Sequence, residues 1–95
     1  MLLRITRQNP RTLKLEGRVV QSFIELLERE CSELLGVADE VTLDLSSVTL
    51  VDRSGIESLK RLQRKGVVIH GCSDPVASVL EAEDIAVERG GMQRT

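Results

Sequence analysis

Aromatic residues are all but missing from this chain: Phe23 stands alone, with no tryptophan or tyrosine among 95 residues. Single-stranded nucleic acid is held by stacking its bases on aromatic rings along a basic groove. A net charge of -2 offers no such groove, so no nucleic-acid partner is expected. Cysteine is scarce too. Cys31 and Cys72 are too few for the disulfide framework of a small secreted domain and lack the clustered spacing of a zinc site. Free thiols in a reducing cytoplasm and no bound metal are expected. Long apolar runs are also missing. Met1-Leu2-Leu3-Arg4-Ile5-Thr6 turns polar at its fourth residue, which fits no secretory signal, and nothing approaches the roughly 20 apolar residues of a spanning helix. No direct membrane insertion is expected. Histidine occurs once, as His70 in a strand-like run, with no serine or cysteine at a nucleophile-type turn beside it. Neither G-x-G-x-x-G, G-x-x-x-x-G-K nor G-x-S-x-G occurs. The expectation is a protein that is not an enzyme, with no catalytic residues and no cofactor.

What remains is ordinary globular material: 41% apolar and 29% charged, the charge spread over both signs. A chain this short buries one core, and here that core must be aliphatic. A single domain over residues 1–88 is expected, followed by a flexible tail over 89–95 that carries Gly90-Gly91 and no apolar pattern.

Leu3 to Thr6 and Thr12 to Glu16 alternate apolar with polar residues around Asn9-Pro10-Arg11, which predicts a hairpin. From Val20 the period lengthens to that of a helix. Val20, Phe23, Ile24, Leu27, Cys31, Leu34 and Leu35 make one stripe, with Cys31 a small core residue, and Gly36 follows as a stop. Val41-Thr42-Leu43-Asp44-Leu45 predicts a buried strand, and a second apolar stretch, Val48 to Val51, follows Ser46-Ser47. The next helix is expected near Ser54, with Ile56, Leu59 and Leu62 inward, a solvated basic face, and Glu57 placed to pair Arg61 one turn on. Val67 to His70 reads as a strand. Ser73-Asp74-Pro75 opens a third helix with Val76, Val79 and Leu80 as its apolar face, and Ile85-Ala86-Val87 suggests an edge strand. The order β-β-α-β-α-β-α, with an optional last β, predicts an α/β fold. Its sheet is mixed, four- to five-stranded, with about three helices mainly on one face.

Ser54 has two readings. Ser54-Gly55-Ile56-Glu57 matches the S-x-x-E capping box, in which the serine oxygen caps the helix and the glutamate reaches back. That box leaves Asp52 and Gly55 unexplained. The stretch Leu43-Asp44-Leu45-Ser46-Ser47-Val48 through Asp52-Arg53-Ser54-Gly55 resembles the D-L-S-x-V-x-x-x-D-S-S-G signature of STAS domains, named for sulfate transporters and anti-sigma factor antagonists. Leu15-Glu16-Gly17-Arg18 resembles the same family's second-strand ending, and Gly71 with Ser73-Asp74-Pro75-Val76 its entry to the third helix. The likeness spans roughly residues 12 to 87. Arg53 departs from it, standing where the family has its first serine, and no apolar pattern follows for the long final helix of many members.

The resemblance implies a non-enzymatic domain for regulated protein contacts. It implies phosphorylation at Ser54, with Asp52, Arg53, Ser54, Gly55, Ile56 and Glu57 as the partner-binding loop. The implied partners are an anti-sigma factor acting as serine kinase and a phosphatase. The alternative is a constitutive subunit docked on the ATPase of a lipid-type ABC transporter. A small-ligand or nucleotide site at the helix N-terminus has physical warrant but no motif.

Overall fold

Aliphatic residues alternating with polar ones set most of the strands of a computed structural model that describes residues 3–88. Strands β1 (Leu3–Asn9) and β2 (Thr12–Val19) form the expected antiparallel hairpin. Strands β3 (Val41–Val51) and β4 (Val67–His70) add to it in parallel, giving the order β1-β2-β3-β4. Helices α1 (Ile24–Leu35), α2 (Arg53–Arg64) and α3 (Asp74–Ala82) make the crossovers and the final layer. The fold is thus the mixed four-stranded α/β arrangement anticipated from the order of elements.

Leu13, Leu15, Val41, Leu43, Leu45, Val67 and Ile69 point from the sheet into one core cluster. Leu27, Cys31 and Leu34 of α1, Ile56, Leu59 and Leu62 of α2, and Val76 and Leu80 of α3 close it. The intervening strand residues Lys14, Thr42, Asp44, Val68 and His70 are half-buried on the other face. Leu59 has no exposed surface, so truncating it to alanine would cost about 2–5 kcal/mol.

Three details differ from expectation. The two apolar stretches around Ser46-Ser47 are one continuous strand, because β3 bulges against β2 at two places. Pairing passes from Lys14 opposite Asp44 to Glu16 opposite Ser47, and then from Gly17 opposite Val48 to Arg18 opposite Leu50. Each bulge adds one residue to β3 and shifts which face its side chains meet. Asp44 Oδ1 accepts from the Ser46 N–H at 2.9 Å and the Thr49 hydroxyl donates to Gly17 O at 3.2 Å, so side chains satisfy the disturbed ladder. Second, the segment after Val20 begins as a 3-10 turn over Gln21–Phe23 before α1. Third, the expected edge strand at Ile85-Ala86-Val87 reduces to a bridge between His70 and Glu88, with Glu88 N–H donating to Ile69 O at 2.8 Å. The proposed tail over 89–95 lies outside the described residues.

Candidate functional site

The junction between β3 and α2 is built around Asp52. Its backbone is extended, its N–H donates to Val19 O at 3.2 Å, and its carbonyl accepts from Ile56 N–H at 2.9 Å. Its carboxylate is bidentate between two elements: Oδ1 accepts from Gly55 N–H at 2.8 Å and Oδ2 from Gln21 N–H at 3.1 Å. One side chain therefore caps α2 and ties it to the turn that leads into α1. A carboxylate suits this place, because the helix N-terminus carries unsatisfied donors and partial positive charge.

Asp52, and not Ser54, is thus the helix cap, and the expected capping box is not formed. The helix starts at Arg53, one residue before the expected start, which puts Ser54 in its second position and carries its side chain past the orphan amides. Gly55 explains why the helix can start there. A Cβ on Gly55 would lie 2.4 Å from Val19 O and 2.8 Å from Val51 Cγ1, so only glycine lets α2 come this close to the ends of β2 and β3.

Ser54 is half-buried, and its hydroxyl has no hydrogen-bond partner among the described residues. Ile56 turns into the core and Glu57 is exposed. Glu57 does not pair Arg61. Arg61 Nη2 instead donates to Glu28 Oε2 of α1 at 2.7 Å, and the fully buried Ser58 hydroxyl donates to the same oxygen at 2.7 Å. Burial alone would raise the Glu28 carboxyl, but the bonds from Ser58 and Arg61, with the charges of Arg61 and Lys65, outweigh it and hold Glu28 below the ordinary glutamate value. Ser54 sits one turn ahead of Ser58, so it lies on the side of α2 that faces α1.

Arg53 faces the other way. Its guanidinium donates to Glu83 through Nη1 at 3.1 Å and Nη2 at 3.3 Å, and Lys60 Nζ stands 3.5 Å from the same carboxylate. The Arg53 hydrogen bond first, then its charge and that of Lys60, hold Glu83 below the ordinary range. Glu83 follows the last residue of α3, so this cluster ties the start of α2 to the end of α3. Nothing in sequence spacing pointed to Glu83 or Glu28.

Beside the junction lies a small apolar groove of about 130 Å3, lined by Thr49, Leu50, Val51, Pro75, Val76 and Val79. Leu50, within the second apolar stretch, is 48% exposed, and Val79, expected on the apolar face of the third helix, is 45% exposed. The second bulge turns Leu50 out, and α3 buries Val76, Ala77 and Leu80 instead. Cys31 is wholly buried; burial first, then the nearby Glu28 and Glu30 charges, push its thiol up to about 12, which makes it an inert core residue. No helix of the described residues is long and apolar enough to cross a membrane.

The family model described as "Mlab, STAS domain" matches residues 3–87. No curated protein matches the sequence. Among solved structures, the anti-sigma factor antagonist SpoIIAA in its unphosphorylated form superposes with a TM-score of 0.70 at 11% identity, over 93% of this chain and 89% of that one. The Bacillus cell fate determinant SpoIIAA in its phosphorylated form does so with a TM-score of 0.63, also at 11% identity, over 93% and 92%. The match runs through every strand and helix described and through the Asp52–Gly55 junction, and the chain belongs to the STAS domain family.

Proposed function

We propose that this protein is a non-enzymatic, cytoplasmic partner-switching module of the anti-sigma factor antagonist kind, controlled by phosphorylation of Ser54. In this reading the surface made by Asp52, Arg53, Ser54 and Glu57, set by the buried Gly55 and Ile56 beneath it and with the apolar groove beside it, docks on an anti-sigma factor that is also a serine kinase. A phosphatase resets it. The observation that carries the reading is the unengaged Ser54 hydroxyl: Asp52 already caps α2, so no local structural duty accounts for a serine there. The likeness to SpoIIAA, a protein whose structures include an unphosphorylated and a phosphorylated form, supports it.

The physics of the switch is electrostatic. A phosphoserine brings about -1.5 to -2 charges and lies next to the Asp52 carboxylate. Burying that dianion in an interface that accepts a neutral hydroxyl costs several kcal/mol, and about 2.7 kcal/mol already weakens a complex a hundredfold. Calorimetry against a kinase-type anti-sigma factor tests this. Ser54→Asp is expected to bind at least a hundredfold more weakly and Ser54→Ala nearly as well as the parent; equal affinity of Ser54→Asp and parent rejects the reading.

One observation favours the second reading, a constitutive subunit on a transport ATPase: Arg53 replaces the family's first serine and is already occupied by Glu83. Copurification with such an ATPase, and Ser54 without phosphate in cell extracts, would select it.

A further inference from the structure

Arg53 is where this chain leaves the family pattern, and its contacts give the departure a consequence. The guanidinium holds both carboxylate oxygens of Glu83, at 3.1 and 3.3 Å. Glu83 caps the end of α3, and the next residue, Asp84, sits at φ 64, a left-handed conformation that a non-glycine residue adopts at a cost. From there the chain turns back, with Ile85 N–H donating to Leu80 O at 3.0 Å and Ala86 O accepting from Gln63 Nε2. Arg53 therefore holds a sharp reversal of the chain against the start of α2.

We infer that Arg53 is a movable latch: it holds Glu83 while Ser54 is unmodified, and passes to the phosphate when Ser54 carries one. The site's modification is thereby relayed to the end of α3. This rests on the reading of Ser54 as a phosphorylation site.

Three features support the exchange. The latch is weak, because the Arg53 side chain is 63% exposed, and exposed ion pairs hold loosely. The competitor is strong, since a phosphate dianion offers a guanidinium three acceptors and a bidentate geometry that a monoanionic carboxylate matches with less charge. Ser54 is also the next residue, about 3.8 Å away between Cα atoms. The two side chains leave the first turn of α2 in different directions, and the long, flexible arginine stem has to swing across the helix N-terminus to meet the phosphate. In the present geometry Glu83 keeps Arg53 turned toward α3, while Ser54 lies on the α1 side. Asp52 occupies the Gly55 amide and repels a phosphate, and Arg53 is the cationic side chain next to Ser54 in the chain.

The consequence falls on a second groove, of about 350 Å3, lined by Lys60, Gln63, Arg64, Glu83 and Asp84. Without Arg53, Glu83 keeps Lys60 alone, at 3.5 Å, beside Asp84, so of these polar ties the end of α3 keeps that pair and the Gln63–Ala86 bond only, and the groove between α2 and α3 loses one wall contact. A latch of this kind also blunts the repulsion that phosphate alone would exert, so the switch acts through the α2–α3 edge as well as through charge.

The test uses the full chain with phosphoserine installed genetically at position 54, so it does not depend on whether the cell modifies that residue. Four proteins are compared: Ser54 and phosphoserine 54, each with Arg53 and with Arg53→Gln. The Glu83 carboxyl resonance is read by NMR at about pH 7.5, where the phosphate is a dianion, and the phosphoserine is titrated by phosphorus NMR. Arg53→Gln is expected to shift the Glu83 carboxyl resonance in the unmodified protein and to leave it nearly unchanged in the phosphorylated one. The second ionisation of phosphoserine is expected to fall in the Arg53 protein relative to Arg53→Gln. Equal shifts of Glu83 with and without phosphate, or a phosphoserine that ionises alike in both, overturns the latch. Absence of phosphate from Ser54 in cells removes the functional reading and leaves this measurement standing.

Discussion

Asp52 and Ser54 are both cap-forming residues, two positions apart, yet they carry unequal loads. Asp52 holds the amides of Gly55 and Gln21, whereas the Ser54 hydroxyl holds nothing among the described residues. Asp52→Ala is expected to lower stability by about 1–2 kcal/mol, and Ser54→Ala by no more than about 0.5 kcal/mol. Urea midpoints of the two variants decide it; a larger loss at Ser54 would restore the serine as cap. Gly55→Ala pits two effects against each other. Alanine in place of glycine favours a helix by about 1 kcal/mol, but the added Cβ would stand 2.4 Å from the Val19 carbonyl oxygen, which belongs to the backbone and cannot swing away. The clash wins, and a net loss of about 1–3 kcal/mol is expected in the same measurement. The run Asp52-Arg53-Ser54-Gly55 was legible as the junction between a strand and a helix. Which residue caps the helix was not, because that depends on how closely Gly55 lets α2 approach β2. Glu83, thirty residues beyond Arg53, leaves no local signal at all.

At the scale of elements, α1 and α2 are joined by one carboxylate. Glu28 accepts from buried Ser58 and from Arg61, and this explains why the expected Glu57–Arg61 pair does not form: an anchored acid outcompetes an exposed one on the same helix. A serine inside an apolar stripe cannot be recognised from spacing as the partner of a distant glutamate, so this joint was hidden. Ser58→Ala removes a single buried hydrogen bond and is expected to cost about 1 kcal/mol. The pH dependence follows from the depressed Glu28 carboxyl. In the unfolded chain it protonates near its ordinary value of 4.5, while in the folded protein it stays ionised to lower pH. The stability it supplies is therefore complete above pH 4.5 and is lost as pH falls through the folded value. Glu28→Gln should flatten that part of the acid-unfolding profile; a profile identical to the parent's would show that Glu28 is not linked to folding. The strands tell a related story. Val41 to Leu45 was readable from alternation, but Ser46-Ser47 looked like a break, because a bulge changes the period without ending the strand.

Across the whole molecule, the aliphatic core and the order of elements were legible because burial imposes periods of two and 3.6 on the sequence. The apolar residues left outside were not, since Leu50 and Val79 carry the same signal as core residues until the bulge and the orientation of α3 are known. Their exposure beside the Asp52–Gly55 junction makes them the place to test the proposed docking surface. An aspartate at position 79 replaces a side chain that is already 45% exposed and contributes little to the core. Val79→Asp is therefore expected to stay within about 0.5 kcal/mol of the parent in stability. In the docked complex the same substitution would place a charge against the partner, costing several kcal/mol if no cation meets it. A variant that folds like the parent and loses binding at least tenfold by calorimetry assigns the groove to the interface; undiminished binding confines the contact to the α2 side of Ser54. Leu59→Ala serves as the opposite control, because a wholly buried leucine lowers stability first and binding only as a consequence.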